Sequence, residues 1–500
     1  MNNTDNDTEG KNKFWQSLFK ASSVAVIGAN ANEGSWGFNV ITTLIDLQKK
    51  AKNRQIYAVN PNRSEVLGVI SYKSILDIPG KVELAVIVVP AKSVPQVLGE
   101  CARKQVEAAI IISAGFGEAD EAGMRLEKEL AEISEKEGMP FVGPNCVGHA
   151  DLHSHMASIG FGTRLKSGPL AVISQSGTMG AYTSMTASRV GLGLSKFLST
   201  GNEASQHLED CLEYLAGDEE TKIIAVYIEG LREGRRFFQL AKEITPRKPI
   251  IAIKAGGTED SARAAMSHTG ALTGSEPVYQ AAFKQAGVLR VEDGEELCDL
   301  ALALLHQPLP RGNRIGILTI GGGIGVVTTE AVGKEGLKIA GLQSTTLEKL
   351  NAILPPRWSH GNPVDTAGIF HRPPDQANIV LSCLGILMED ENIDCVLSLA
   401  SPLISAFGFN DNPDAERMKV IQNTNKKNVK ILGEYIQKKE KPLIFYDRTP
   451  PQSLEDETSI SSLYLKEGIP VYYNVRRAAR ILRHLVKRSE NIRRSAEDYA

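Results

Sequence analysis

The chain has 500 residues, of which 42% are hydrophobic and 23% are charged, and its formal net charge is −3. This length and composition allow several buried cores, so we expect more than one domain. The nearly balanced charge provides no broad basic field for nucleic acid, and no run of about 18 apolar residues without a charge indicates a membrane span. We therefore expect small ligands as partners, with no nucleic acid and no membrane.

The first residues, 1–14, are polar and contain no apolar segment of the kind found in secretory signals. We expect a disordered tail there. The six cysteines are scattered and form no C-x-x-C pair, which is typical of reduced, buried thiols. These features predict a cytoplasmic protein.

One pattern occurs three times along the chain: a short apolar strand, a turn rich in glycine or serine, and then a helix. These strands begin at residues 24, 170 and 315, about one domain apart. Further β-branched runs, predicted to be strands, begin at residues 56, 84, 109, 194, 223, 250, 395, 443 and 471. Apolar strands that alternate with helices predict three consecutive α/β domains with parallel sheets, covering residues 15–160, 168–305 and 312–488.

The turn after the first strand is rich in glycine and resembles a nucleotide-binding turn, although its spacing is not G-x-G-x-x-G. Three later strands of the same domain also end in turns, and ligands of open α/β sheets bind at such strand ends. Each turn alone is equally compatible with an ordinary loop, but together they favour a ligand that carries phosphates. The candidate residues are Gly28, Ala29, Asn30, Gly34, Ser35, Gly37, Asn60, Pro61, Val89, Pro90, Ala91, Ser113, Ala114 and Gly115.

The second domain begins with a strand followed by the turn S-Q-S-G-T and a predicted helix. Backbone N–H groups at a helix start, together with two serine hydroxyls, can hold an anion. The turn contains no lysine, unlike the P-loop that binds a nucleoside triphosphate. We expect a single phosphate or a phosphorylated side chain, held by Ser174, Gln175, Ser176, Gly177 and Thr178.

His268 lies in M-S-H-T-G-A-L-T-G, where its neighbours are small residues and glycines. A core histidine normally lies on an apolar stripe, and no nearby His, Cys or carboxylate has the spacing of a metal ligand, so we predict no metal site. Residue chemistry alone leaves open whether His268 has a catalytic or phosphate-handling role or belongs to the core.

Taken together, these segments resemble the NDP-forming acyl-CoA synthetases, specifically the α subunit of ADP-forming acetyl-CoA synthetase, with the succinyl-CoA synthetase α subunit as a more distant relative. The resemblance extends over nearly the whole chain after the first residues. It is carried by S-V-A-V-I-G-A, Y-A-V-N-P-N, V-G-P-N-C-V-G, I-S-Q-S-G-T-M-G, S-H-T-G-A-L-T-G and G-N-P-V-D-T. The resemblance implies a Rossmann-like CoA-binding domain followed by two flavodoxin-like CoA-ligase domains.

The resemblance also implies a reaction. In this family acyl-CoA reacts with phosphate to give an acyl phosphate, and the phosphoryl group then moves to a histidine and on to ADP or GDP. By motif position that histidine is His268, and Glu229 in Y-I-E-G orients and stabilises the phosphohistidine. The implied CoA site consists of the strand-end residues of the first domain together with Asn145 and Cys146. Residues 30–32 depart from the family, which often has a basic residue there.

The family binds its nucleotide in an ATP-grasp module. Because the chain continues after residue 314 into a third α/β unit, the resemblance implies a separate β subunit that binds ADP/ATP or GDP/GTP with Mg²⁺. The substrate would be a small carboxylic acid or its acyl-CoA. One alternative is a CoA-binding regulatory or scaffold protein without turnover. Another, an NAD-dependent oxidoreductase, is weakened because no acidic residue follows the second strand at Asn60.

The third domain is harder to interpret. G-G-G-I-G, from Gly321, opens a predicted helix and is a candidate for a second anion site. His360 precedes a Gly-Asn-Pro turn and is assigned no role.

Overall fold

The computed structural model describes residues 3–51, 53–161, 165–261, 275–366, 373–404, 415–447 and 460–498. His268 lies outside these residues. The chain divides into two compact units, Met1–Leu297 and Cys298–Ala500. Three mostly parallel sheets confirm the predicted α/β fold class. No helix within the described residues is long and apolar enough to cross a membrane.

The first sheet lies in the first unit and has the strand order β3-β4-β2-β1-β5-β6-β7. Its strands are β1 (Ser23–Ile27), β2 (Gln55–Val59), β3 (Glu65–Val66), β4 (Val69–Tyr72), β5 (Leu84–Ile87), β6 (Ala108–Ile111) and β7 (Phe141–Val142). Its helices are α1 (Asn3–Lys20), α2 (Trp36–Gln48), α3 (Val94–Arg103) and α4 (Glu121–Glu137). Without the short β3, the order is that of a Rossmann fold, and β1 pairs in parallel with β2 on one side and β5 on the other. The chain therefore reverses its direction of winding beside β1, which opens a crevice at the carboxyl end of that strand.

The second sheet, also in the first unit, has the order β14-β13-β12-β10-β11-β8-β9. Its strands are β8 (His149–Asp151), β9 (Met156–Ala157), β10 (Ser167–Ser174), β11 (Leu194–Ser199), β12 (Ile223–Ile228), β13 (Ile250–Lys254) and β14 (Leu289–Arg290). Its helices are α5 (Gly177–Arg189), α6 (Leu208–Gly217), α7 (Gly234–Ile244) and α8 (Glu276–Ala286). The strands from β10 onward follow the flavodoxin-like order, with β10 at the reversal. The predicted boundary near residue 160 is misplaced for this sheet, because β8 and β9 form an antiparallel hairpin that extends it beyond β11.

The second unit contains the third sheet, with the order β16-β15-β18-β19-β20 and β17 paired to β15. The strands are β15 (Arg314–Thr319), β16 (Lys338–Ile339), β17 (Val364–Asp365), β18 (Cys395–Ser398), β19 (Leu443–Tyr446) and β20 (Val471–Tyr472). The helices are α9 (Gly294–His306), which spans the division between the units, α10 (Gly322–Lys334), α11 (Ser344–Ile353), α12 (Pro373–Glu389), α13 (Ala415–Lys439), α14 (Ile460–Lys466) and α15 (Val475–Asp498). Apart from β17, this order is again flavodoxin-like.

The N-terminal segment differs from the prediction. Instead of a disordered tail over residues 1–14, the structure has helix α1 from Asn3. The reason lies at its C-terminal end, where Phe14, Trp15 and Phe19 are buried. Trp15 and Phe19 stack on Tyr214 of α6, with ring centroids 5.3 and 5.4 Å away. These contacts with a distant helix are invisible in the local sequence.

A buried charge cluster attaches the β8–β9 hairpin to the rest of the second sheet. Lys196 on β11 is 1% exposed, and its Nζ lies 3.2 Å from the Asp151 carboxylate on β8, which is fully buried. The same Nζ lies 3.4 Å from Asp218 and 2.6 Å from Glu220. A buried cation held by three carboxylates compensates for the cost of burying the acid beside it.

We expect Lys196→Met to lower the free energy of unfolding by about 3 to 5 kcal/mol, because Asp151 would remain buried without its cation. Urea denaturation measures this loss. Lys49→Met is the control, since Lys49 forms an exposed pair with Asp46 at 2.8 Å and its loss costs less than about 1 kcal/mol. Equal effects of the two substitutions would contradict the stabilising role of the cluster.

Candidate functional site

The turn after β1 passes through a narrow space that only glycine fits. Gly28 has φ of +95°, and a Cβ there would clash with the carbonyl of Val88. A Cβ at Gly37, on α2, would clash with the carbonyl of Gly28. Because neither glycine carries a Cβ, the start of α2 packs directly against the turn. The predicted Gly28 and Gly37 therefore bring a helix N-terminus to the carboxyl end of β1.

Hydrogen bonds inside the turn hold it open. The Asn30 Oδ1 accepts from the Ser35 hydroxyl at 2.8 Å and from the Asn32 N–H at 2.9 Å. The Ser35 hydroxyl in turn caps α2 by accepting from the Phe38 N–H at 3.3 Å. Gly34 has φ of +82°. These bonds order a turn that contains no basic side chain, and the positive end of the α2 dipole is the favourable charge for an anion beside it.

A cavity of about 300 Å³ lies between this turn and the ends of β5 and β6. Its lining includes six of the residues predicted from the sequence, Asn30, Ser35, Gly37, Val89, Ser113 and Ala114, together with Trp36, Val88 and Ile112, which were not predicted. The Trp36 side chain is 40% exposed. An aromatic residue directly before Gly37 was the available sequence signal for it.

Hydrogen bonds among the strand-end residues support the cavity. The Asn60 Nδ2 donates to the Ala29 carbonyl at 2.8 Å, and the Ser113 hydroxyl donates to the Val89 carbonyl at 2.6 Å. The Gly115 N–H donates to Glu118 Oε1 at 2.6 Å. The structure thus joins neighbouring strand ends through polar side chains. Three further candidates lie near them without lining the cavity: Pro61 and Pro90, which are exposed, and Ala91, which is half-buried.

Asn145 and Cys146 follow β7 and lie beside the end of β6. Asn145 has φ of +58°, and its N–H donates to the Ser113 carbonyl at 2.9 Å. The Cys146 Sγ donates to the Ile111 carbonyl at 3.4 Å. Burial raises the pKa of the Cys146 thiol to about 12, so the reactive thiolate is disfavoured. These features favour packing over nucleophilic chemistry for Cys146.

The phosphate loop, defined as residues 174–178, connects β10 to α5. The Ser176 side chain caps this helix by accepting from the Met179 N–H at 3.4 Å. The Ser174 hydroxyl is buried and donates to the Ser176 carbonyl at 2.6 Å. Gly177 and Thr178 occupy the first helical turn, where backbone N–H groups precede the first intrahelical hydrogen bond. Backbone N–H groups at such a helix start can bind an anion.

The Gln175 side chain forms hydrogen bonds with two neighbouring loops. Its Nε2 donates to the Gly230 carbonyl at 2.6 Å and to Glu203 Oε2 at 3.0 Å. Its Oε1 accepts from the Glu229 N–H at 2.6 Å and from the Gly230 N–H at 3.1 Å. The amide therefore forms four hydrogen bonds, and it links the phosphate loop to the Glu229 loop, defined as residues 229–230, which follows β12.

Lys254, at the end of β13, supports the same loop. Its Nζ donates to the Glu229 carbonyl at 2.9 Å and lies 4.6 Å from the centre of the Tyr279 ring. Burial lowers the pKa of Lys254. The predicted Glu229 is thus held by its backbone from two directions, by Gln175 and by Lys254.

Comparisons with known proteins agree with this geometry. A family model described as a CoA binding domain matches residues 22–151, and one described as a succinyl-CoA ligase like flavodoxin domain matches residues 167–304. The ADP-forming acetate–CoA ligase II subunit alpha of Pyrococcus furiosus is 39% identical over 480 residues, which are 95% of this chain and 98% of the relative. The chain belongs to the ADP-forming acyl-CoA ligases. The predicted family and the predicted enzyme class of acid–thiol ligase are confirmed, in place of the oxidoreductase alternative.

Other members of the family extend the comparison. The 4-hydroxybutyrate–CoA ligase (ADP-forming) of Nitrosopumilus maritimus is 36% identical over 77% of this chain, but the match spans only 54% of that longer protein. Among solved structures, the dinucleotide-forming acetyl-coenzyme A synthetase 1 of Ca. Korarchaeum cryptofilum, in complex with phosphate and ADP, is 29% identical with a TM-score of 0.81. That match covers 98% of this chain and 99% of the other.

Within this ligase fold, Asn202 connects the two sheets of the first unit. It follows β11, and its Nδ2 donates to Glu118 at 2.6 Å and to Glu127 at 2.7 Å. Its Oδ1 accepts from Asn145 at 3.1 Å, and its carbonyl accepts from Arg232 at 2.8 Å. Sequence analysis missed Asn202, because its partners are scattered over more than 100 residues and leave no local pattern.

Glu203, the next residue, was also missed. It is 3% exposed and has φ of +58°. Its Oε1 has no hydrogen-bond partner among the described residues. Burial, together with the nearby charge of Glu209, raises the pKa of Glu203 to about 8. The neutral form of the carboxyl group is therefore favoured up to about pH 8. Its position in the loop that follows β11 was the available sequence signal.

In the second unit, the two candidate features have structural partners. Gly321 precedes α10, and its N–H donates to the Thr319 hydroxyl at 3.3 Å. The His360 Nδ1 lies 2.9 Å from Asn351 Oδ1, and its Nε2 lies 3.0 Å from the Pro356 carbonyl. Both ring nitrogens of His360 thus lie within hydrogen-bonding distance of oxygen atoms in the neighbouring residues.

We expect the melting temperature of Glu203→Gln to exceed that of the wild type by an amount that grows between about pH 5 and pH 8. The native carboxyl holds its proton up to a pKa of about 8, whereas its ordinary value is 4.5. Between these values the unfolded chain binds fewer protons, so the wild type loses stability as pH rises, and the loss levels off above pH 8. Thermal unfolding of both proteins at several pH values measures this difference. A difference that stays constant from pH 5 to pH 8 would show that the native pKa is not raised.

Proposed function

We propose that this chain is the α-type subunit of an NDP-forming acyl-CoA synthetase. It interconverts acyl-CoA, a nucleoside diphosphate and phosphate with a carboxylic acid, CoA and a nucleoside triphosphate. The observation that carries the proposal is the Gln175 amide, which joins the start of α5, the proposed phosphate site, to the Glu229 loop. Membership in the ADP-forming ligases supports this assignment.

His268 is the proposed phosphoryl carrier. A neutral imidazole nitrogen attacks the phosphorus of the acyl phosphate, the P–O bond to the acyl group breaks, and the carboxylate leaves. Glu229 is proposed to accept a hydrogen bond from the other ring nitrogen, which fixes the tautomer and stabilises the cation that develops. The N–H groups of Gly177 and Thr178 are proposed to stabilise the phosphoryl oxygens, since this transfer depends on aligned donors. Ser174 and Ser176 hold these donors in place.

CoA is proposed to bind in the cavity of the first sheet. The narrow turn at Gly28 and Gly37 fits such a ligand, because the missing Cβ atoms bring the α2 N-terminus close to the strand ends. The phosphates of CoA are expected beside Asn30 and Ser35. The rest of the molecule is expected along Val89 and Ser113, toward Asn145.

The nucleotide partner is inferred to be a separate ATP-grasp β subunit that binds ADP/ATP or GDP/GTP with Mg²⁺. Two Pyrococcus furiosus relatives carry the name subunit alpha, which supports a hetero-oligomer. We propose a cytoplasmic location. The acid substrate is proposed to be a small carboxylic acid, since acetate and 4-hydroxybutyrate are the acids named for two of the similar ligases.

We expect this chain to acquire an acid-labile, base-stable phosphate when it is incubated with a candidate β subunit, γ-labelled ATP and Mg²⁺. His268→Ala should abolish the label, and Glu229→Gln should slow its appearance by about tenfold because the imidazole loses its charged partner. His360→Ala is the control, since both nitrogens of that ring have local partners, and it should keep the label. If a competent β subunit labels itself and this chain takes up no phosphate, a CoA-binding regulator without turnover becomes the better account.

We expect Gly37→Ala to weaken CoA binding by about tenfold or more, since a Cβ would push α2 away from the Gly28 carbonyl. Titration calorimetry with CoA measures the affinity. Gly99→Ala is the matched control, because Gly99 is also in a helix but a Cβ there would have no atom within 4 Å. Unchanged CoA affinity in a folded Gly37→Ala protein would place the CoA site elsewhere.

A further inference from the structure

Glu203 lies at the back of the phosphate loop, with no role in the scheme above. Its Oε2 accepts a hydrogen bond from Gln175 Nε2 at 3.0 Å. Its backbone has φ of +58°, a conformation that costs energy in a residue other than glycine. Burying a carboxyl group costs free energy, and so does the strained backbone. Residues with such costs are concentrated at functional sites.

The bond from Gln175 helps to decide which way its amide faces. In the observed orientation, Nε2 faces two acceptors, Glu203 and the Gly230 carbonyl, and Oε1 faces the N–H groups of Glu229 and Gly230. In the reversed orientation, Nε2 would face two donors and Oε1 would face two acceptors, so all four bonds would be lost. Without the acceptor at Glu203, the observed orientation loses one of its four bonds.

We propose that Glu203 is a positioning residue for phosphoryl transfer, which acts by holding the Gln175 amide in the orientation that fixes the backbone of Glu229 and Gly230. This proposal rests on the proposed function for the role of Glu229. Glu203 itself touches no reacting atom. It acts on the position of the Glu229 backbone, from which the carboxylate proposed to lie beside the phosphohistidine extends.

The groups that face Glu203 explain which substitution preserves its role. They are the Thr200 hydroxyl, the Glu209 carboxylate on α6, Gln175 and the Arg232 guanidinium. Because the Glu203 carboxyl is neutral below about pH 8, a glutamine matches it in shape, in its acceptor oxygen and in having a donor on the other atom. A methionine has a similar volume but accepts no comparable hydrogen bond. Glu203→Gln and Glu203→Met therefore separate the hydrogen bond from the packing.

The primary experiment is hydrogen exchange by mass spectrometry on the full chain, read from a peptide that contains Glu229 and Gly230. We expect Glu203→Met to speed exchange of these amides by about tenfold, the effect of weakening one supporting hydrogen bond, while Glu203→Gln keeps the wild-type rate. Glu296→Met is the matched control, because Glu296 is a glutamate of the same unit that is 1% exposed and its carboxylate accepts from the Glu292 N–H instead. Equal exchange in wild type and Glu203→Met overturns the proposal, as does equally fast exchange in the Glu296→Met control.

The second experiment measures turnover of the same variants with the β subunit. We expect Glu203→Met to lower kcat by about tenfold and to leave the KM for CoA within about twofold, with Glu203→Gln restoring the rate. A parallel rise in KM, or no restoration by Glu203→Gln, overturns the positioning role. The two proposals fail separately: a wild type without phosphohistidine overturns the proposed function, whereas the exchange rates still decide whether Glu203 holds the Glu229 loop.

Discussion

Parallel pairing of β10 with β11 and β12 is the constraint on which the phosphate-handling site depends. Because the three strands run in the same direction, their carboxyl ends meet at one edge. The loops after them therefore converge, although they are about 25 to 30 residues apart along the chain. Gln175 can reach both Glu203 and Gly230 only because of this arrangement. The same rule, applied to β1, β5 and β6, assembles the cavity in the first sheet.

Much of the fold follows from local sequence. Runs such as residues 170–173 and 223–228 are apolar and β-branched, and they form the buried centre of their sheets. Strand ends rich in glycine and serine predicted a ligand site, and six of the predicted residues line the cavity. Local sequence was sufficient to find these residues, because the strand and the turn after it are adjacent in the chain.

The features that sequence analysis missed depend on contacts between distant parts of the chain. The C-terminal end of α1 packs against Tyr214, almost 200 residues away, and β8 and β9 are too short to show an alternating pattern. Gln175 was predicted to be part of the phosphate loop, but its hydrogen bonds to two other loops were not. Asn202 and Glu203 have no motif of their own, since their importance lies in contacts that exist only after the strands are paired.

The turn after β1 contains positions whose residue type is fixed by the fold and positions whose residue type is not. Gly28 and Gly37 touch other backbone, so their identity is set by the fold. Residues 32 and 33 between them are exposed, whereas Gly34 has φ of +82°, which strains any other residue. Substitutions at these two exposed positions therefore leave intact the two backbone contacts that shape the turn.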